Sequence, residues 1–297
     1  MTRIMAPTPA PAHAVLISGA SSGIGRACAL DLAAGGFRVF AGVRRETDAE
    51  SLRRAGGDRL HPVMLDVTCE QDILKALGDI RQALDAGERF ALVNNAGVAL
   101  SGPLEATSSE ALRDLFEVNV VGVLSLTRAA LPLLRERRGR IVNIGSTSGR
   151  FASALLGPYC ASKFALEALT TSLRLELGET GIRVSMIEPG VVATPFWDKM
   201  RSAEQRLLLE MPEALRAGYA DRMAARHVLI ERLGRSGMAP EEVALAVRHA
   251  LSAKRPRKRY VVGLRDQVRA AVAARLPDGL RGAIATLRGR GSGSPRR

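Results

Sequence analysis

Short runs of consecutive apolar residues alternate along the chain with longer stretches in which apolar residues return every three or four positions. The runs Ala14 to Ser18, Phe37 to Val43, Phe90 to Val93 and Ile182 to Ile187 carry few charges. A strand apolar on both faces is buried on both sides, the pattern of a parallel sheet covered by helices. The intervening segments supply those helices. Arg26 to Ala34 follows the first run, and Thr107-Ser108-Ser109-Glu110 reads as a capping box that opens a long helix towards Arg135. From Pro195 to Gly237 the apolar residues Phe196, Trp197, Met200, Leu207, Met211, Leu215, Tyr219 and Met223 are set among many charges, as expected of a helical lid over an apolar pocket. Leu100, Phe151, Leu155 and Leu156 are candidates for the opposite wall. Alternating strand and helix signals over 297 residues, without an evident repeat, predict one large α/β domain.

Two local patterns carry chemistry. The first apolar run is followed by Gly19-Ala20-Ser21-Ser22-Gly23-Ile24-Gly25 and then by a helix. In a strand, glycine turn and helix of this kind, Gly19 permits the tight turn, and Gly23 and Gly25 allow the backbone to approach a pyrophosphate. The helix N-terminus then presents unpaired N–H groups to the anion. The spacing is G-x-x-x-G-x-G, and a glycine trio alone also suits a plain turn. The second pattern is Tyr159-Cys160-Ala161-Ser162-Lys163, with Ser146 thirteen positions before the tyrosine. Residues i and i+4 share a helix face, so the lysine ammonium can sit near the phenol and favour its ionised form. Lowering a phenol from its ordinary pKa of about 10 to near neutrality takes roughly 4 kcal/mol, more than one lysine supplies. An oxidised nicotinamide ring is the candidate for the second positive charge, and the glycine turn is where its dinucleotide would lie.

Ser18 to Gly25, Asn94-Asn95-Ala96-Gly97, Asn119, Ser146, Tyr159 with Lys163, and Pro189-Gly190 occur in the order seen in short-chain dehydrogenases/reductases, and residues 13 to 263 resemble that family. Val39-Phe40-Ala41-Gly42-Val43-Arg44 looks most like the branch handling steroids, retinoids and other lipophilic carbonyls, the 17β-hydroxysteroid and retinol dehydrogenase-like branch. The resemblance implies a Rossmann-type doubly wound parallel sheet. It also implies an NAD(P)-dependent enzyme that interconverts a lipophilic ketone or aldehyde with its alcohol. Tyr159 would be the general acid or base, Ser146 would hold the substrate oxygen, and Lys163 would tune Tyr159 and grip the nicotinamide ribose. Asn119 would hold a helix bulge, or a water linking Lys163 to solvent. Around the dinucleotide the resemblance places Gly19, Ser21, Ser22, Gly23, Ile24 and Gly25 at the phosphates, and Asp66 and Val67 at the adenine. It places Asn95, Ala96 and Gly97 beneath the adenosine, and Pro189, Gly190, Val192 and Thr194 near the carboxamide, with Asn94 or Asn95 also pinning the sheet. Hydride transfer from the pro-S face and a homodimer or homotetramer are further implications.

The choice of dinucleotide turns on the end of the second strand. An NAD-preferring site generally puts a carboxylate there for the ribose 2′-hydroxyl. That position falls on Val43, followed by the cationic pair Arg44 and Arg45, which suits a 2′-phosphate. NADP(H) is favoured and NAD(H) stays open.

Charge adds a local feature. The chain carries a formal charge of +13, and residues 254 to 297 hold thirteen Lys or Arg against Asp266 and Asp278, a local charge of +11. A body near neutrality with a basic extension argues against nucleic-acid binding as the core function. Leu264, Val268, Val272 and Leu276 recur every four residues between arginines. That pattern fits a short basic amphipathic helix suited to peripheral membrane contact or to packing on its own domain, before a disordered end from Gly289. Residues 264 to 297 are thus expected to be an extension, and Met1 to His13, rich in Pro and Ala, a flexible leader. No uninterrupted apolar stretch of spanning length is present, since Val118 to Leu134 contains Asn119, Ser125, Thr127 and Arg128, and a soluble cytoplasmic protein is expected. Cys28, Cys69 and Cys160 lack metal-ligand spacing and are read as reduced bystanders, Cys160 being also a candidate inhibitor-sensitive thiol. Two other functions are compatible with these features. One is a β-ketoacyl-thioester reductase docking an acidic carrier. The other is a non-enzymatic membrane or nucleic-acid binding protein, whose expected mark, loss of Ser146, Tyr159 or Lys163, is absent.

Overall fold

The computed structural model describes residues 13–263. The expected leader, apart from His13, and the extension from 264 onward, with its amphipathic pattern, lie outside the described residues. Seven strands form one sheet: β1 (His13–Ile17), β2 (Arg38–Val43), β3 (Leu60–Met64), β4 (Arg89–Asn94), β5 (Arg140–Ile144), β6 (Arg183–Pro189) and β7 (Arg259–Val262). They pair in the order β3-β2-β1-β4-β5-β6-β7, parallel throughout. The strand order reverses between β1 and β4, the switch point at which an open α/β sheet leaves a crevice at its carboxyl ends. This is the doubly wound, Rossmann-type sheet expected from the chain.

Nine α-helices are described: α1 (Gly23–Ala34), α2 (Glu46–Gly56), α3 (Glu70–Ala83), α4 (Ser109–Phe116), α5 (Gly122–Glu136), α6 (Gly157–Glu176), α7 (Phe196–Glu210), α8 (Glu213–Ser236) and α9 (Pro240–Ser252). The period-two geometry of the strands feeds two cores at once. From β1, Val15 and Ile17 join Cys28, Leu32, Leu52, Val243 and Val247 of α1, α2 and α9 on one face. Ala14 and Leu16 join Ile73, Ile80, Leu126 and Leu133 of α3 and α5 on the other.

Several expected boundaries move. β1 ends at Ile17: the Ser18 N–H still donates to the Val93 carbonyl at 3.0 Å, but the chain turns there, and the Ser18 hydroxyl accepts from the backbone N–H of Asn95 and of Ala96, each at 3.0 Å. α1 begins at Gly23, not Arg26, since the glycine turn runs directly into the first helical turn. The cap before α4 is Ser108, which accepts from the Ala111 N–H at 3.0 Å, while the Thr107 hydroxyl is engaged with the Pro103 carbonyl. The shift of one residue removes Glu110 from the reciprocal position of a capping box. Strands β3, β5 and β7 were not separable from the apolar pattern. β3 contains His61 and Pro62, and β7 is embedded among Arg257, Lys258 and Arg259.

α4 and α5 are joined by a π-helical turn, Glu117–Val121, into one helical run from Ser109 to Glu136. By length and composition that run is apolar enough to cross a membrane, with mean hydropathy 1.4 in its most apolar window, despite the polar residues that interrupt it. Leu126, Ala130, Leu133 and Leu134 along it are buried in the core. α7 and α8 fill the segment expected as a lid. Its two ends are clipped together: Val192 pairs with Met238 in an isolated parallel bridge, Ala193 N–H donates to Met238 O at 2.9 Å, and Met238 N–H to Val191 O at 2.9 Å.

Candidate active site

The carboxyl ends of β1, β2, β4, β5 and β6 open into a cavity of about 1140 Å³, bounded on the far side by α7 and α8. Every residue expected at the dinucleotide except Arg45 lines it, as do Ser146, Tyr159 and Lys163; Asn119 lies behind Gly97. Gly19 and Gly23 have φ of +65° and +55°, a region that side chains rarely enter, and a Cβ on Gly25 would meet Gly19 O at 2.3 Å and Asn95 Nδ2 at 2.4 Å. The α1 N-cap, Ser22, makes no side-chain capping bond, and no acidic residue sits in the first turn. Its N–H groups thus face the cavity without an anion, which is the fit a pyrophosphate requires.

Behind this turn a buried polar ladder fixes the sheet. Asn95 Nδ2 donates to the carbonyls of Ser18 and Gly19, each at 3.0 Å. Asn94 Nδ2 donates to Thr127 Oγ1 at 2.9 Å and Asn143 Oδ1 at 2.8 Å, and Asn143 donates on to Thr170 at 2.8 Å. Both asparagines therefore pin strands.

At the end of β2 the expected cationic pair divides. Arg44 lines the cavity and lies 3.7 Å from Asp66. Arg45 is turned away, its guanidinium fork closed on Asp48 at 2.8 and 3.0 Å. The expectation that both arginines face a phosphate fails for Arg45, because Asp48, one helical turn on, is its partner, and only Arg44 of the pair faces the cavity. Burial alone would raise the Asp66 carboxyl, but hydrogen bonds from Thr68 and the Arg44 charge outweigh it and hold it below the usual carboxylate range.

Tyr159 and Lys163 stand on the first turns of α6, and Ser146 follows β5. The Ser146 hydroxyl hydrogen-bonds the Tyr159 phenol and accepts the Ser148 N–H at 3.1 Å, which caps the turn Thr147–Gly149. Lys163 is buried, donates to the Ile144 carbonyl at 3.1 Å, and holds its ammonium 5.7 Å from the Tyr159 ring centroid. Burial dominates both groups. It pushes Tyr159 up to about 12, partly offset by the Ser146 hydrogen bond, and pulls Lys163 down to about 8. The lysine by itself does not ionise the tyrosine, in keeping with the need for a second positive charge.

Asn119 sits in the π turn, so the expected bulge is present. Its Oδ1 accepts from Val98 N–H at 2.8 Å, while Nδ2 donates to Val98 O at 2.9 Å and Ser162 Oγ at 3.0 Å, which uses both amide hydrogens and leaves one lone pair of the oxygen. Phe151, Leu155 and Leu156 line the cavity as expected, whereas Leu100 does not. Cys28 and Cys160 are buried thiols that burial pushes upward, and all three cysteines are free.

Some residues of the site gave no signal in the sequence. Arg226, Glu204 and Ser101 form a buried cluster at the lid, and Glu188 beside Pro189 is buried against Arg150 and Arg259. Each contact joins residues on different elements of the fold, so no spacing in the sequence marks it.

The model of the short chain dehydrogenase family matches residues 13–205. The chain is 37% identical to retinol dehydrogenase 5 of Homo sapiens over 94% of its length and 89% of that protein's. It is 37% identical to mitochondrial D-beta-hydroxybutyrate dehydrogenase of Bos taurus over 85% and 77% of the two chains. It is also 37% identical to 17-beta-hydroxysteroid dehydrogenase type 6 of Bos taurus over 84% and 80%. Among solved structures, a short chain dehydrogenase from Burkholderia cenocepacia in complex with NADP superposes with a TM-score of 0.70 at 26% identity, covering 92% of this chain and 98% of that one. A short chain dehydrogenase/reductase from Burkholderia phymatum in complex with NAD gives a TM-score of 0.74 at 25% identity, covering 98% and 100%. With this fold and these relatives, the chain belongs to the short-chain dehydrogenases, in the branch of the retinol and steroid dehydrogenases, and is an oxidoreductase working between an alcohol and a carbonyl.

Proposed function

We propose that this oxidoreductase uses NADP(H) to interconvert a lipophilic ketone or aldehyde with its alcohol, with Tyr159 as acid and base. The observation that carries the reading is the convergence of Ser146, Tyr159 and Lys163 on a cavity that also takes in the uncapped end of α1. When bound, a nicotinamide dinucleotide supplies or accepts the hydride and, oxidised, brings a positive charge. In the direction of reduction Tyr159 is protonated at neutral pH, since its phenol lies near 12, and it delivers that proton to the substrate oxygen. Ser146, already bonded to the phenol, donates to the same oxygen and stabilises its developing negative charge. Lys163, held by the Ile144 carbonyl, places its ammonium where it favours the phenolate left behind and can reach ribose hydroxyls. Asn119 acts through position, locking Val98 to α6 and keeping the π turn beside Lys163.

Arg44 on the cavity wall and the uncharged Val43 support the phosphate-bearing dinucleotide. The relatives are named for retinol, a hydroxybutyrate and hydroxysteroids, and the walls around Tyr159, with Phe151, Leu156, Phe196 and Leu229, suit an apolar body. Exposed apolar residues on α5 and α6 support self-association into a homodimer or homotetramer. The test is a fluorescence titration of the parent and Arg44→Asp with NADPH and NADH, then turnover of a panel of lipophilic ketones. NADPH affinity falling at least about tenfold in Arg44→Asp, and turnover lost in Tyr159→Phe with binding kept, is the expected result. Tighter binding of NADH by the parent would overturn the dinucleotide assignment.

A further inference from the structure

We propose that the lid end of the cavity is a carboxylate receptor built on Arg226, so that the substrate is a lipophilic carbonyl compound bearing an anionic head. The inference rests on the oxidoreductase reading above and names the substrate class of the same site. Lys199, Arg206, Arg222 and Arg226 all line the cavity, and Asp66, paired with Arg44 beside β2, is the one acid that does so among the described residues. The anionic needs of a dinucleotide are met at that other end, by α1 and Arg44.

Arg226 is a built feature and not a solvated charge. Its side chain is 12% exposed and that of Glu204 is 1% exposed. Arg226 Nε donates to Glu204 Oε1 at 2.9 Å and to Ser101 Oγ at 2.7 Å, and the Ser101 hydroxyl is itself anchored on the Leu155 carbonyl at 2.8 Å. The guanidinium is therefore aimed by two positioning residues. It is also incompletely used. Nη2 has only the Met200 sulfur, at 3.6 Å, and among the described residues Nη1 has no oxygen acceptor. Glu204 Oε2 is buried without a hydrogen bond. A purely structural pair would close fork on carboxylate, as Arg45 and Asp48 do. Here the carboxylate takes one edge and leaves the Nη edge for another acceptor. Neither Nη is among the buried side-chain atoms left without a partner, so this edge opens on the cavity, and a ligand carboxylate is the group whose geometry matches two adjacent N–H bonds there. The receptor is near the chemistry: the Arg226 charge acts on Cys160, the neighbour of Tyr159, and Leu155, which anchors Ser101, is itself a wall residue.

The experiment compares a series of straight-chain oxo acids, in which the carbonyl lies progressively further from the carboxylate, with their methyl esters, using NADPH and NADH. At one separation the acid is expected to exceed its ester in kcat/KM by roughly 10- to 100-fold, the range of a charge-assisted hydrogen bond, chiefly through KM. Arg226→Met is expected to erase that ratio and Arg226→Lys to keep part of it, while turnover of neutral ketones persists in both. Dinucleotide binding reports that each variant is folded. Should Arg226→Met leave Glu204 too poorly accommodated to fold, the paired change Glu204→Gln with Arg226→Met carries the same comparison. Esters equal to or better than acids throughout, an acid preference that survives Arg226→Met, or a preference for acyl thioesters over the acids would overturn the receptor. Failure of acids, esters and neutral ketones alike, with dinucleotide bound, would overturn the oxidoreductase reading beneath it.

Discussion

Lys163 has its ammonium buried beside a carbonyl and a phenol, and its pKa is drawn down to about 8 by that burial. Between that value and its ordinary 10.5, the unfolded chain binds a proton that the folded chain has lost, so stability rises with pH across this window. Below about 8 the full cost of the buried charge is present. Lys163→Met is accordingly expected to be more stable than the parent near neutral pH without dinucleotide, by on the order of 3 kcal/mol. The advantage should shrink as pH approaches the ordinary lysine value. Thermal unfolding of both proteins at several pH values measures it, and a difference independent of pH would show that packing, not protonation, sets it. The same three side chains explain what could be read from sequence. Ser146, Tyr159 and Lys163 are legible because a helix and a strand end impose fixed spacing on groups that must meet. Arg226, Glu204 and Ser101 meet only because α7 and α8 fold back over the sheet, so no spacing records their contact.

At the level of elements, the apolar runs announced β1, β2, β4 and β6, whose two buried faces leave no alternation to confuse them. β7 was hidden because it opens on a basic residue, Arg259, that is a partner for acids of the neighbouring elements. Arg259 reaches from β7 to Glu188 on β6 and Glu167 on α6, and Arg150 approaches Glu188 from the other side at 2.8 Å. Five of the basic residues counted with the extension, Lys254 to Arg259, thus belong to the described fold. Arg259→Met is expected to destabilise the protein by on the order of 2 kcal/mol. The figure lies below that for breaking a wholly buried pair, because 31% of the Arg259 side chain is exposed and Arg150 remains to compensate Glu188. Denaturant midpoints of the two proteins test this, and an unchanged midpoint would mean that Arg150 alone suffices. The shifted cap at Ser108 has a similar lesson: Thr107 satisfies the same sequence rule, but its hydroxyl is already held by the preceding turn.

For the molecule as a whole, Val121, Leu124, Phe164 and Leu175 are 43%, 49%, 44% and 77% exposed on the π turn, α5 and α6. Buried against a second copy, such side chains would each release apolar surface from water. Phe164→Glu is expected to shift the mass in light scattering from dimer or tetramer towards monomer, and a monomeric parent would remove the basis for self-association. The doubly wound parallel sheet was implied by family resemblance, while the apolar pattern by itself gave only strands and helices in sequence, and the order β3-β2-β1-β4-β5-β6-β7 emerges from the structure. The bridge between Val192 and Met238 bears on how such a molecule diversifies. Because the chain leaves the sheet and returns to it at adjacent points, the intervening helices form a cassette whose closure cost grows only with the logarithm of its length. Substrate-facing residues can be lengthened, shortened or replaced as a unit while β6 and α9 keep their places, so that a new ligand can be met by exchanging one excursion of the chain rather than by redesigning the sheet beneath it.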